Sequence, residues 1–173
     1  MIKNDYEVRA KKFIKEFAPY LKGIRVCKAN KHLISMAVRQ FNAEKKRNVK
    51  IASGTSRIAF ITSDYVIKLD LGTTWAGNSR SEMLAYAQAV QDGYDYLFAK
   101  ISHYKYRGRN YYIMPKAKIA DSYRLSNQRN LWRSLSEDGR KYLDENINDL
   151  HNSNWGVIKG KVVIIDYAFN DFR

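Results

Sequence analysis

The chain has 173 residues, 31 of them Lys or Arg against 17 Asp or Glu, a formal net charge of +14 and 45% hydrophobic residues. That length suits one domain with a buried core, in one or two lobes, and the apolar content excludes wholesale disorder. A single cysteine, Cys27, excludes a disulfide framework, three histidines fit a structural zinc site poorly, and no run approaches the roughly 18 apolar residues of a membrane span. The opening MIKNDYEVRAKK lacks the apolar centre of a signal peptide, so a cytoplasmic chain without membrane contact is expected. The positive surplus draws polyanions: nucleic acid, nucleotides, an acidic protein face or anionic lipid.

From residue 5 to about 20, Val8, Phe13, Ile14, Phe17 and Leu21 recur at helical spacing, with Gly23 as a stop. Residues 29 to 46 predict a second helix with Leu33, Ile34, Met36, Ala37 and Phe41 on one side. From residue 48 the texture changes. NVKIASG, RIAFITS and YVIKLDL are short β-prone runs between turn residues, and read as a three-stranded antiparallel meander. NSRSEMLAYAQAVQDG predicts a helix, with Ser79 and Glu82 spaced as a capping box and Gly93 at its end. LFAKISHYKY, the turn RGRN and YYIMPKA read as a hairpin that Pro115 closes. ADSYRLSNQRNLWRSL and SEDGRKYLDENINDLH read as helices, and WGVIKG and KVVIIDY as two strands joined at Gly160. The expected fold is α+β: residues 1–47 a helical extension, 48–117 a five-stranded antiparallel sheet with one helix, and 118–173 a small, mostly helical part.

Four pieces carry chemistry. In ASGTSRIAF the small turn residues Ser53, Gly54, Thr55 and Ser56 allow close backbone approach to a phosphate and add hydroxyl donors. Lys68 sits in YVIKLDL between apolar neighbours, a point charge suited to nucleotide phosphates. Glu82, on the following helix, either caps that helix or pairs with Lys68. DLHNSN sets Asn154 five residues after Asp149, and Asp166 ends the run VVIID. Oxygen donors of this kind suit magnesium, and a further aspartate can accept the proton of a hydroxyl nucleophile.

The ordered set of small-residue loop, strand lysine, helix glutamate, D-x-x-x-x-N and strand aspartate resembles the protein-kinase-like superfamily. DLHNSN is similar to the D-L-H-x-x-N form of aminoglycoside and choline kinase relatives, and of the small serine/threonine kinases of lytic phages. The resemblance covers about residues 48 to 168. It implies a two-lobed fold and the cofactors ATP and Mg2+. Asp149 would be catalytic, assisted by Lys68 and Glu82. Ser53, Gly54, Thr55, Ser56, Lys68, Met114 and Lys116 would hold the nucleotide, the last two in the hinge YYIMPKA. Asn154 and Asp166 would hold the metal. The pattern departs from the H-R-D form at Ile147 and Asn148, the loop carries one glycine, and the chain runs seven residues beyond Asp166, so a strongly reduced second lobe is expected.

Three functions follow from these residues. The first is an ATP- and magnesium-dependent protein serine/threonine kinase, acting on host proteins if viral. The second is a kinase-fold binding protein with little turnover that acts on a partner through its basic surface. The third is a nucleic-acid binder, for which HYKYRGRNYY offers aromatics among cations. Trp132 and Trp155 are expected to pack, and the oligomeric state is open.

Overall fold

A computed structural model of the chain describes residues 5–54, 56–72, 79–119, 132–147, 150 and 154–167. It is a mixed α+β fold whose residues pack as two units, Met1–Ser79 with Ile101–Lys116, and Arg80–Lys100 with Ala117–Arg173. Among the described residues no helix is long and apolar enough to cross a membrane.

The first unit holds a five-stranded antiparallel sheet of β1 (Lys50–Ser53), β2 (Arg57–Ile61), β3 (Tyr65–Asp70), β4 (Ser102–Tyr106) and β5 (Arg109–Pro115), in the order β1-β2-β3-β5-β4. The meander and the hairpin thus form one sheet, with β5 inserted beside β3. The β4–β5 turn is two residues, Arg107 and Gly108, with φ of 48° and 75°. Two left-handed residues match the twist of the flanking strands, which is why glycine serves there.

Helices α1 (Asp5–Phe17) and α2 (Lys31–Lys45) cover one face of this sheet. Alternation puts Ile58, Phe60, Tyr65, Ile67, Leu69, Tyr111 and Ile113 on that face, where they share a core with Phe13, Ile14, Phe17, Ile34 and Phe41. Phe17 meets Phe41 and Phe60 edge-on at 5.4 and 5.1 Å between centroids, a geometry that adds about 1 kcal/mol per pair beyond buried area. Residues 1–47, expected as an extension, therefore share their core with the sheet. Two of their apolar residues face outward instead: Val8 is 56% exposed and Met36 61%, while Ala10 and Val38 are buried.

The second unit contains α3 (Ser79–Asp92), α4 (Glu137–Asn146) and a three-stranded antiparallel sheet of β6 (Lys118–Ile119), β7 (Trp155–Ile158) and β8 (Lys161–Ile164). Gly93, at φ 80°, ends α3, and Ser136 caps α4 by accepting from Gly139 N–H at 3.1 Å. Ser136 satisfies one of the amides left open at a helix start. Trp132 and Trp155 pack edge to face at 6.1 Å, as expected. The helix expected over ADSYRLSNQRN lies outside the described residues. Strand β6 had no sequence signal of its own; its two residues pair with Gly156 and Val157.

Candidate functional site

The face of the five-stranded sheet opposite α1 and α2 carries the first group. Lys68 lies between Ile67 and Leu69, which point into the core, so its side chain leaves on the other face. Pairing runs Ala52, Ala59, Lys68, Tyr112, His103 across five strands, with Lys50, Ile61, Val66 and Met114 as the next row. Two alanines on one side of Lys68 leave room above the sheet. Val66, half-buried, supplies apolar surface beside it, and Met114 is buried in the same row. Lys68 is only 7% exposed. An ammonium so buried is stable only with polar or ionic partners.

The turn from β1 to β2 is tight. Gly54 N–H donates to Arg57 carbonyl at 2.9 Å, and Leu71 N–H donates to Ser56 carbonyl at 2.7 Å. Ser53 and Gly54 are exposed, Ser56 is half-buried, and Thr55 lies outside the described residues. Gly54 has no left-handed φ, and an added Cβ would meet only Arg57 O at 3.9 Å. The turn's own geometry therefore does not require glycine at 54. Lys31 Nζ donates to the Gly54 carbonyl.

At the end of β5, Met114 pairs with Val66 and is buried. Lys116 N–H donates to Asp64 carbonyl at 2.9 Å. That amide is thus committed within the fold, and Lys116 has its carbonyl and its exposed side chain to offer a ligand.

Glu82 lies one turn into α3 and is 1% exposed. Ser79, fully buried, is itself the first helical residue and gives its hydroxyl proton to Asp70 Oδ1 at 2.7 Å, which also accepts from Ser79 N–H at 3.1 Å. Asp70 thus satisfies an amide at the helix start from outside the helix. The sequence reading missed Asp70; its signal was an aspartate closing a buried strand just ahead of a helix.

In the second unit, Asn154 precedes β7 and Asp166 follows β8. Antiparallel pairing brings both to one end of the hairpin, where Ile165 N–H donates to Asn154 carbonyl at 2.7 Å. Asn154 is 9% exposed and Asp166 is half-buried. The strand stops at Ile164, two residues before Asp166. Tyr167, 2% exposed, donates its hydroxyl to Ala99 carbonyl at 2.9 Å and packs edge-on against Phe98 at 4.9 Å. Burial pushes the Tyr167 hydroxyl well above its ordinary range, and the nearby charges of Glu82 and Asp166 add to this. Tyr167, next in sequence to Asp166, is fixed in place by that hydrogen bond and ring contact.

An amide and a carboxylate oxygen at one hairpin end suit a hard cation that takes one or two protein ligands and fills its shell with water and phosphate. Among the described residues no group of three or more His, Cys, Asp or Glu converges. Asp149, the expected catalytic aspartate, lies outside the described residues, as do 151–153.

No protein-family model matches the chain, and no curated protein matches it in sequence. Among solved structures, the chain is similar to the Legionella pneumophila kinase Lpg2603 bound to IP6, with a TM-score of 0.45 and 15% identity over 75% of this chain. The match covers 51% of that protein, so the chain spans about half its length.

Proposed function

We propose that the chain is an ATP- and magnesium-dependent phosphotransferase of the protein-kinase-like kind that phosphorylates serine or threonine hydroxyls of proteins. One observation carries this reading. Among the described residues, the buried polar or charged side chains are Lys68, Ser79, Glu82 and Asn154. Three of these four are the residues that the order of sequence motifs assigns to phosphate, lysine pairing and metal. Burying an ionic group costs several kcal/mol unless it is compensated, and perturbed or buried ionic groups cluster at functional sites.

In this reading Lys68 holds phosphate oxygens, and Glu82 is its ionic partner. Val66 offers apolar surface to the base, and Met114 lies beside it with its backbone groups. Ser53, Gly54, Thr55 and Ser56 lie along the phosphates, with Lys116 at the hinge. Asn154 and Asp166 hold magnesium, which when bound neutralises charge on the phosphates. Asp149 orients the acceptor hydroxyl. The acceptor oxygen bonds to the γ-phosphorus, the bond from that phosphorus to the bridging oxygen breaks, ADP leaves, and Asp149 takes the hydroxyl proton. Catalysis is positioning and charge stabilisation. The charge of +14 favours acidic or nucleic-acid-associated protein substrates.

The test is transfer from γ-labelled ATP with magnesium to the protein itself and to proteins of a bacterial lysate. Label is expected with the wild type and reduced at least about 100-fold by Asp149→Ala, Asp166→Ala or Lys68→Met. No transfer, with an ATP-dependent rise in melting temperature retained, would make the chain a kinase-fold binding protein. Neither transfer nor binding would sink the reading altogether.

A further inference from the structure

Helix α2 is fastened to strand β1 at both ends. Near its C-terminus, the Asn42 side-chain amide donates to Val49 carbonyl at 2.9 Å, and Val49 N–H donates to Asn42 Oδ1 at 3.1 Å. At its N-terminus, Lys31 Nζ donates to the Gly54 carbonyl. The spacings agree. Eleven residues of helix from Lys31 to Asn42 rise about 16 Å, and five residues of strand from Val49 to Gly54 span about 16 Å. The helix lies along the strand as a splint, running in the opposite direction.

The connector before α2 is fixed as well. Arg109, at the start of β5, donates to the Leu21 and Ile24 carbonyls, both at 2.8 Å, and Asn30 donates to the Arg25 carbonyl at 2.9 Å. Lys31 therefore stands on an anchored base.

Its direction of pull matters. Ile34, Ala37, Val38 and Phe41 of α2 pack on the core face of the sheet, whereas Lys68 leaves the opposite face. Lys31 thus draws the Gly54 carbonyl oxygen toward the helices and away from the face of Lys68. A carbonyl oxygen is the negative end of the peptide dipole and repels phosphate; a turn that receives phosphate must present amide hydrogens instead.

We infer that Lys31 is a positioning residue for the nucleotide: through the Gly54 carbonyl it holds the β1–β2 turn in the orientation that accepts phosphate. The inference rests on the phosphotransferase reading above. Its test has two arms. In nucleotide-free protein, hydrogen exchange of a peptide spanning residues 50–60 is followed for wild type, Lys31→Met, Lys31→Arg and, as a control for lost charge, Lys28→Met. Kinetics in ATP are then measured for the same four proteins. Lys31→Met is expected to speed exchange at least about threefold and to raise KM for ATP about fivefold with kcat within about twofold. Lys31→Arg should restore both, and Lys28→Met should alter neither. Unchanged exchange in Lys31→Met, faster exchange without a change in KM, or an equal KM effect from Lys28→Met would each overturn the inference. A wild type that binds no ATP would overturn the phosphotransferase reading and this inference with it, while the exchange arm would still show whether Lys31 holds the turn.

Discussion

Tyr142 and Tyr167 show how single hydroxyls tie the second unit together. Tyr142 donates to Asp92 Oδ2 at 2.9 Å and stacks on Tyr94 at 4.1 Å between centroids. Burial, then the hydrogen bond to Asp92, pushes its hydroxyl far above the ordinary tyrosine value. Tyr167 is raised by burial too. Below a pH of about 10 both tyrosines are neutral in the folded and unfolded chains and contribute nothing to pH dependence. Above it, the unfolded chain releases protons that the folded chain retains, so stability falls as pH rises. Denaturant midpoints measured at pH 8 and pH 11 should show this loss, and Tyr142→Phe or Tyr167→Phe should shrink the difference between the two pH values. A difference of the same size in both variants would mean that other groups carry the alkaline sensitivity.

At the scale of elements, the β7–β8 hairpin is the part whose geometry bears most directly on Asn154 and Asp166. Gly156 sits two residues from Asn154, and a Cβ there would lie 2.6 Å from Ala117 Cβ and 3.1 Å from Ile165 Cγ2. Strand β6 and the segment after β8 crowd it from two sides. Gly156→Ala is expected to cost about 1–3 kcal/mol in chemical denaturation through overpacking and, on the phosphotransferase proposal, to weaken ATP binding in the presence of magnesium. Gly54→Ala makes the contrast: its Cβ meets nothing closer than 3.9 Å, so its stability should stay within about 0.5 kcal/mol of wild type. Equal losses from both substitutions would contradict the close approach at β7. The hairpin itself was legible, because WGVIKG and KVVIIDY are short β-prone apolar runs on either side of a turn whose Lys159 and Gly160 take φ of 50° and 79°. The crowding at Gly156 was not, since it depends on β6, a strand of two residues.

For the whole molecule, the charge of +14 bears on partners rather than on fold. The proposal of acidic protein substrates and the alternative of nucleic-acid binding share this field, and salt separates them. If nucleic acid is the functional ligand, affinity for a single-stranded oligonucleotide should stay micromolar or tighter at about 150 mM salt, with sequence-tolerant stacking contributions. If the charge only steers acidic proteins, oligonucleotide binding should fade by then, as non-specific binding does. The second outcome is expected. In the β4–β5 hairpin Tyr104 and Tyr106 pack against the helical core, with Lys11 and Arg107 over their rings at 5.6 Å, and this accounts for the tyrosine-rich pattern of HYKYRGRNYY without a nucleic acid.

The sequence by itself determined most of the described elements. Alternation around Lys68 placed Ile67 and Leu69 opposite to it, and glycines at 93, 108 and 160 marked ends and turns, because these signals are encoded within a few residues. It also pointed to Lys68, Glu82 and Asn154, which with Ser79 are the buried polar or charged side chains among the described residues. What only the tertiary structure decided depends on segments meeting. Val8 and Met36 sit on the helix faces opposite the buried stripes that hold Ala10 and Val38, and packing on the sheet decided which face of each helix is covered. The Asp70–Ser79 bonds, the Ile165–Asn154 bond and the Lys31–Gly54 bond join residues 9, 11 and 23 positions apart. No local propensity specifies such pairs; packing of the hydrophobic faces brings them within reach, and the buried polar groups then take the partners they find there.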